Sequence, residues 1–257
     1  MARVVPAACS ARRPGLRDGL TIRSRLRSEP VLTIRRVLSF IKREPSAVLL
    51  AGQLAGVLLY PFMEGSDVGR ALFSLFGIAI LGLVVLAVRA TPSLTWIAVL
   101  VGIPATVLLL VQVLTGEDGL LPYSSAFEAV LYFYAAGALI RQITADHEVT
   151  RDELFAVGAI FTLVAWAFAY SFTVCQAIEP GSFTAALNAS SDRTWMELLF
   201  LSFTTLSSTG LSDVVPVEPF ARAIVMIEQV VGLTFVAGVV SYLVALTVLR
   251  HSRSQGT

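Results

Sequence analysis

One apolar run in this chain stops halfway. Trp195–Leu206 offers twelve largely apolar residues before the polar stretch Ser207–Asp213 begins, whereas a helix that spans a bilayer needs about 20. Such a segment enters a membrane without crossing it. Irregular, hydroxyl-rich backbone at membrane depth is tolerated only where protein buries it or a watery cavity receives it, because lipid offers its N–H and C=O groups no partner. A turn at Val214–Pro219 and a very long apolar helix to Leu249 follow. Thr194–Leu249 therefore reads as a re-entrant loop followed by a full crossing.

The rest of the chain supports that setting. Hydrophobic residues make up 56% of it and charged residues 14%, with a mean hydropathy of +0.77, which excludes a water-soluble globular domain. Six apolar runs fall at about Ala47–Met63, Ala71–Val88, Leu94–Leu114, Ala126–Ile143, Leu154–Ala177 and Ala221–Leu249. The expected fold is an all-α membrane protein of six transmembrane helices, with a re-entrant helix and loop between the fifth and sixth. A net charge of +1 provides no field for nucleic acid, and no nucleic-acid partner is expected.

Charge is unevenly placed. Residues 1–45 hold eleven of the nineteen basic side chains, and Arg89, Arg141, Arg151, Arg250 and Arg253 fall on the same side of the runs. Glu64, Asp67, Glu117, Asp118, Glu179, Asp192 and Asp213 fall mainly on the other. The positive-inside rule then places a multi-pass protein in the plasma (inner) membrane, with both termini cytoplasmic and the loop outside. The domains read as a basic, mostly disordered N-terminal tail at 1–45, a four-helix membrane domain at 46–150, the loop-bearing domain at 151–250 and a short cytoplasmic tail at 251–257. An amphipathic stretch at Val31–Lys42 makes the first tail either a loose segment or one that binds anionic lipid.

The residues S-F-T-T-L-S-S-T-G-L-S-D-V-V-P at Ser202–Pro216 resemble the pore signature of tetrameric potassium channels, T-x-x-T-V-G-Y-G-D followed by a proline turn. On that pattern Ser208 falls on the filter threonine, Thr209 on the valine and Gly210 on the first glycine. Leu211 falls on the aromatic residue, Ser212 on the second glycine and Asp213 on the aspartate. The likeness continues through V-V-P-V-E-P-F-A-R and M-I-E-Q-V-V-G, about the last quarter of the chain. It implies a homotetrameric pore in the lipid bilayer, with Ser207–Asp213 as the ion filter. Backbone oxygens of Ser208, Thr209, Gly210 and Leu211 would stand in for the hydration shell of K+ or another monovalent cation. No other cofactor is implied. A ring of Asp213 carboxylates would gather cations at the outer mouth.

This pattern also departs from the resemblance. One glycine survives where the family has two, so a left-handed Ser212 would cost roughly 1–2 kcal/mol per subunit. Leu211 lacks the hydroxyl with which an aromatic residue braces the filter. A single-glycine loop is similar to the pore loops of Trk/Ktr potassium transporters as well, although this chain has one loop rather than four. Selectivity for potassium over sodium is thus open, and so is a second reading, a channel-derived subunit or sensor that does not conduct.

The supporting residues follow from local chemistry. Thr194 and Glu197 have the spacing of a capping box ahead of an apolar run. An ordinary buried helix would explain that pair equally well, but not the polar kink after it. Ser207, Ser208 and Thr209 supply hydroxyl and carbonyl oxygens without fixed charge. Glu228, an acid inside an apolar helix, needs a partner, and a hydrogen bond to Thr204 or Thr205 would brace the half-helix. Gly232 lies 22 residues after Gly210, the relation the resemblance gives to a gating hinge. Close helix packing explains it equally well, and Gly238 is a second soft point. In the fourth run Arg141 is the lone arginine, so no steep voltage dependence is expected, and Glu128 reads as interfacial or hydrogen-bonded. No G-x-S-x-G, intramembrane histidine or acidic pair points to an enzyme.

Overall fold

The computed structural model describes residues 44–63, 76–80, 82–84, 92–115, 118–145 and 151–255, all within one unit, Glu44–Thr257. The basic tail expected at 1–45, apart from its last two residues, lies outside the described residues, as do its stretch Val31–Lys42 and much of the run Ala71–Val88.

The elements in chain order are α1 (Pro45–Met63), α2 (Pro92–Thr115), a 3-10 turn at Asp118–Leu120, α3 (Leu121–Ala145), α4 (Arg151–Ile178), β1 (Phe183–Ala185), α5 (Trp195–Leu206), β2 (Val214–Pro216) and α6 (Pro219–Gln255). Residues 76–80 and 82–84 are also helical. Proline opens α1, α2 and α6, at the position where its missing N–H is not needed. Asp152 and Glu153 sit in the first turn of α4, where the helix dipole favours negative charge.

Helix α4 is the axis of the fold and packs against α1, α3, α5 and α6. Its sequence explains why. Lipid tails are as apolar as leucine, so helices associate in a membrane through close packing and polar pairs. Buried Ala156, Ala159, Ala165, Ala167 and Ala169 let neighbours approach, while Leu163, Trp166 and Phe172 fill the space between them. Ser124 on α3 meets Gln112 of α2 at 3.1 Å, which ties that hairpin by a polar pair.

Three helices are long and apolar enough to cross a membrane among the described residues: Pro45–Phe62, Asp152–Ile178 and Pro219–Tyr242. The apolar stretch of α2, Trp96–Gln112, is shorter. Helix α3 has the length, at 25 residues, but Ser124, Ser125 and Glu128 are built into its buried side. Helix α6 runs 37 residues, about 55 Å at 1.5 Å each, past the expected end at Leu249.

The all-α expectation needs one correction. β1 and β2 pair antiparallel, with Phe183 opposite Pro216, Thr184 opposite Val215 and Ala185 opposite Val214. Two extended segments flank α5, and pairing satisfies backbone groups that neither could satisfy alone. Three-residue strands carry no legible hydropathy pattern.

Candidate functional site

Helix α5 begins at a closed capping box. The Thr194 N–H donates to Glu197 Oε2 at 2.7 Å, and the Glu197 N–H donates to Thr194 Oγ1 at 3.3 Å. The residue before it, Arg193, is only 5% exposed. Its guanidinium donates to the carbonyls of Leu187, Asn188 and Ser191 and faces Glu197 Oε1 at 3.5 Å. Gln176, near the end of α4, grips the same residue's backbone: Arg193 N–H donates to Gln176 Oε1 at 2.8 Å, and Gln176 Nε2 donates to Arg193 O at 3.1 Å. Sequence reasoning missed both residues. The available signal was an arginine directly before a capping box on an otherwise acidic side of the chain.

From this entry α5 runs back along α4. The Ser202 hydroxyl lies between the Ala165 carbonyl, 2.9 Å away, and Glu228 Oε1 of α6. Glu228 is fully buried, and its Oε2 has no hydrogen-bond partner among the described residues. The bracing bond expected to Thr204 or Thr205 forms instead two or three residues earlier, to Ser202. Thr204 is engaged elsewhere, since its hydroxyl donates to Leu201 O at 2.9 Å.

The helix stops against Gly232. A Cβ on Gly232 would sit 2.2 Å from the Leu206 carbonyl oxygen and 2.8 Å from two further backbone atoms. Close approach alone requires glycine there. A Cβ on Gly238, by contrast, would face open space.

The chain then reverses through a Schellman turn. Thr209 N–H donates to Thr204 O at 2.9 Å and Ser208 N–H to Thr205 O at 3.0 Å, the pair of bonds that closes a helix C-terminus. Gly210 N–H reaches the same Thr204 carbonyl at 3.1 Å. The left-handed conformations fall on Ser208 (φ 60°) and Gly210 (φ 66°), so the strain expected at Ser212 sits at Ser208. Ser212 instead turns its Oγ to accept the Val214 N–H at 3.1 Å. A left-handed serine costs roughly 1–2 kcal/mol, part of which glycine would return as unfolded-chain entropy. Ser208→Gly is expected to stabilise the protein by about 0.5–1 kcal/mol, measured as a rise in thermal midpoint in detergent.

Ser207, Ser208, Thr209 and Gly210 are exposed, and Leu211 is 77% exposed. Ser207 Oγ and Thr209 Oγ1 lie 3.0 Å apart. Asp213 is exposed beside them. The turn thus presents neutral oxygens with one carboxylate at its rim. Among the described residues no group of three or more His, Cys, Asp and Glu side chains could hold a metal.

Beyond the turn, β2 returns the chain to where it entered. β2 pairs with β1, Val217 N–H donates to Ser182 O at 2.9 Å, and Arg222 Nε donates to Pro216 O at 3.3 Å. Entry at Arg193 and exit at Val214–Pro216 therefore share one end of α4. Helix α6 leaves Met226, Ile227, Val230, Leu233, Val236 and Val240 exposed.

Residues 158–248, from α4 to α6, match the family model described as "Ion channel". No curated protein and no solved structure matches the chain.

Proposed function

We propose that this chain, whose residues 158–248 match the ion channel family model, is a subunit of a homotetrameric channel, not an enzyme, that passes monovalent cations, potassium foremost, down their gradient. The observation that carries this is the path of Arg193–Pro216: a capped half-helix descends along α4, turns on neutral oxygens and comes back to its starting end. One re-entrant loop per chain encloses a path only when about four copies surround an axis. The uncovered face of α6 supplies surface for those copies and for lipid.

In this reading Ser207–Asp213 line the path. Carbonyls of Ser208, Thr209, Gly210 and Leu211 replace the ion's water, and weak-field oxygens let an ion leave as well as enter. Asp213 repeated around the axis enriches cations at the outer mouth. Both termini lie in the cytoplasm of a plasma membrane, and the turn lies outside. Because Gly232 is held against Leu206, Gly238 is the freer point for α6 to bend.

A second reading, a channel-derived subunit that does not conduct, is favoured by the capped Thr204 carbonyl and left-handed Ser208, which fold the turn onto its own helix. Proteoliposome flux separates the two. Potassium uptake exceeding sodium uptake and blocked by barium is the expected outcome. A silent parent that gains flux in Ser212→Gly would establish the second reading.

A further inference from the structure

Ser46, Leu49, Gln53, Gly56 and Tyr60 recur along α1 at alternating steps of three and four, and all are buried. Leu54, Leu58, Leu59 and Phe62 on the same helix are exposed. The buried seam is narrow and contains polar groups, which a lipid-facing helix would have to satisfy within protein. Helix α4 meets two of them, although Gln53 Nε2 has no hydrogen-bond partner among the described residues. Ser46 donates its N–H and hydroxyl to the Asp152 carboxylate at 3.1 and 2.9 Å. The Thr162 hydroxyl donates to Gln53 Oε1 at 2.6 Å, with both residues buried.

Glycine makes the approach close. A Cβ on Gly158 of α4 would lie 2.9 Å from the Leu50 side chain, and one on Gly56 would lie 3.2 Å from the Trp166 ring. At the end of the seam Tyr60 reaches Trp195, the first residue of α5, with ring centroids 5.6 Å apart. Trp195 is held from the α4 side by Trp166 at 5.2 Å and Tyr170 at 5.6 Å. A capping box sets where α5 starts, but it leaves the helix free to rotate about its own axis. Rings packed on its first residue add to the contacts of Ser202 and Leu206 in setting that rotation, and do so at the entry end.

We propose that Tyr60 is a positioning residue for the re-entrant helix, and that α1, although outside residues 158–248, is a fixed part of the scaffold of the ion path. The functional half of this claim rests on the conduction reading above. The structural half does not, and the test separates them. Full-length protein labelled with 5-fluorotryptophan contains three tryptophans, whose fluorine resonances are assigned by single Trp→Phe replacements. Trp96, exposed on α2, is the internal control.

Tyr60→Leu is expected to shift or broaden the Trp195 resonance while leaving that of Trp96 in place, and to lower potassium flux about fivefold or more, the scale of one aromatic contact. Tyr60→Phe, which keeps the ring, restores both readouts. An unmoved Trp195 resonance overturns the proposal, and so does a moved resonance with parental flux and parental potassium-to-sodium preference. If the parent carries no flux at all, the conduction reading falls, and the Trp195 resonance alone decides whether Tyr60 holds the helix.

Discussion

Replacing Gly232 with alanine is expected to lower the thermal midpoint by several degrees and, on the conduction reading, to abolish ion flux. Overpacking a core usually costs about 1–3 kcal/mol because neighbouring side chains find other rotamers. Here the obstacle is the Leu206 backbone, 2.2 Å from the added carbon, and a carbonyl has no rotamer to change. The upper end, about 3 kcal/mol, is the appropriate scale, and for a chain of this size it corresponds to roughly 6–12 °C. Relief requires α5 to back away from α6, which displaces the turn at Ser207–Gly210.

Gly238→Ala is the matched control. It adds the same methyl group into open space and improves helix propensity by up to about 1 kcal/mol, so stability holds or rises. Flux that changes in Gly238→Ala without loss of stability assigns bending of α6 to that position. Equal stability in the two alanine variants would contradict the packing described at Leu206.

The second large effect belongs to Glu228 and Ser202. Removing one partner of a buried hydrogen bond that involves a carboxyl group costs about 1.5–3 kcal/mol, whereas apolar replacement of both partners together can be nearly neutral for the fold. Ser202→Ala and Glu228→Leu are each expected to change flux or the potassium-to-sodium ratio about tenfold and to lower the melting temperature by roughly 3–12 °C. Because both act through one contact, the double variant resembles the worse single variant in flux. Additive effects would show that the two side chains act separately. Glu228→Gln retains an acceptor for the Ser202 hydroxyl and falls between parent and Glu228→Leu; conductance and selectivity unchanged in this variant would count against a bracing role.

Much of the candidate site is legible in order along the chain. Thr194 and Glu197 announce a helix start through spacing alone, and the structure closes their capping box. The polar stretch after Leu206 marks the end of α5 just as plainly, because hydroxyls and glycine interrupt an apolar run. The partner of Glu228 was not legible. Ser202, Thr204 and Thr205 lie within four residues and are chemically alike, and which of them meets α6 depends on how far α5 has turned about its axis. The left-handed residue was misplaced for a related reason: family spacing put the strain at Ser212, whereas the geometry of helix closure puts it at Ser208.

Length, hydropathy and capping are properties of contiguous residues, and they sufficed to identify a membrane chain whose half-length helix ends in an oxygen-rich turn. Pairings between distant segments came only with the folded arrangement: Gln176 on Arg193, Ser202 on Glu228, Leu206 on Gly232, β1 on β2, and the seam of α1 on α4. The physical reason is that helices apolar on every side do not advertise which face they bury. Their rotation and axial offset are set by where glycines permit contact and where single polar groups find partners, and both are matters of three-dimensional packing.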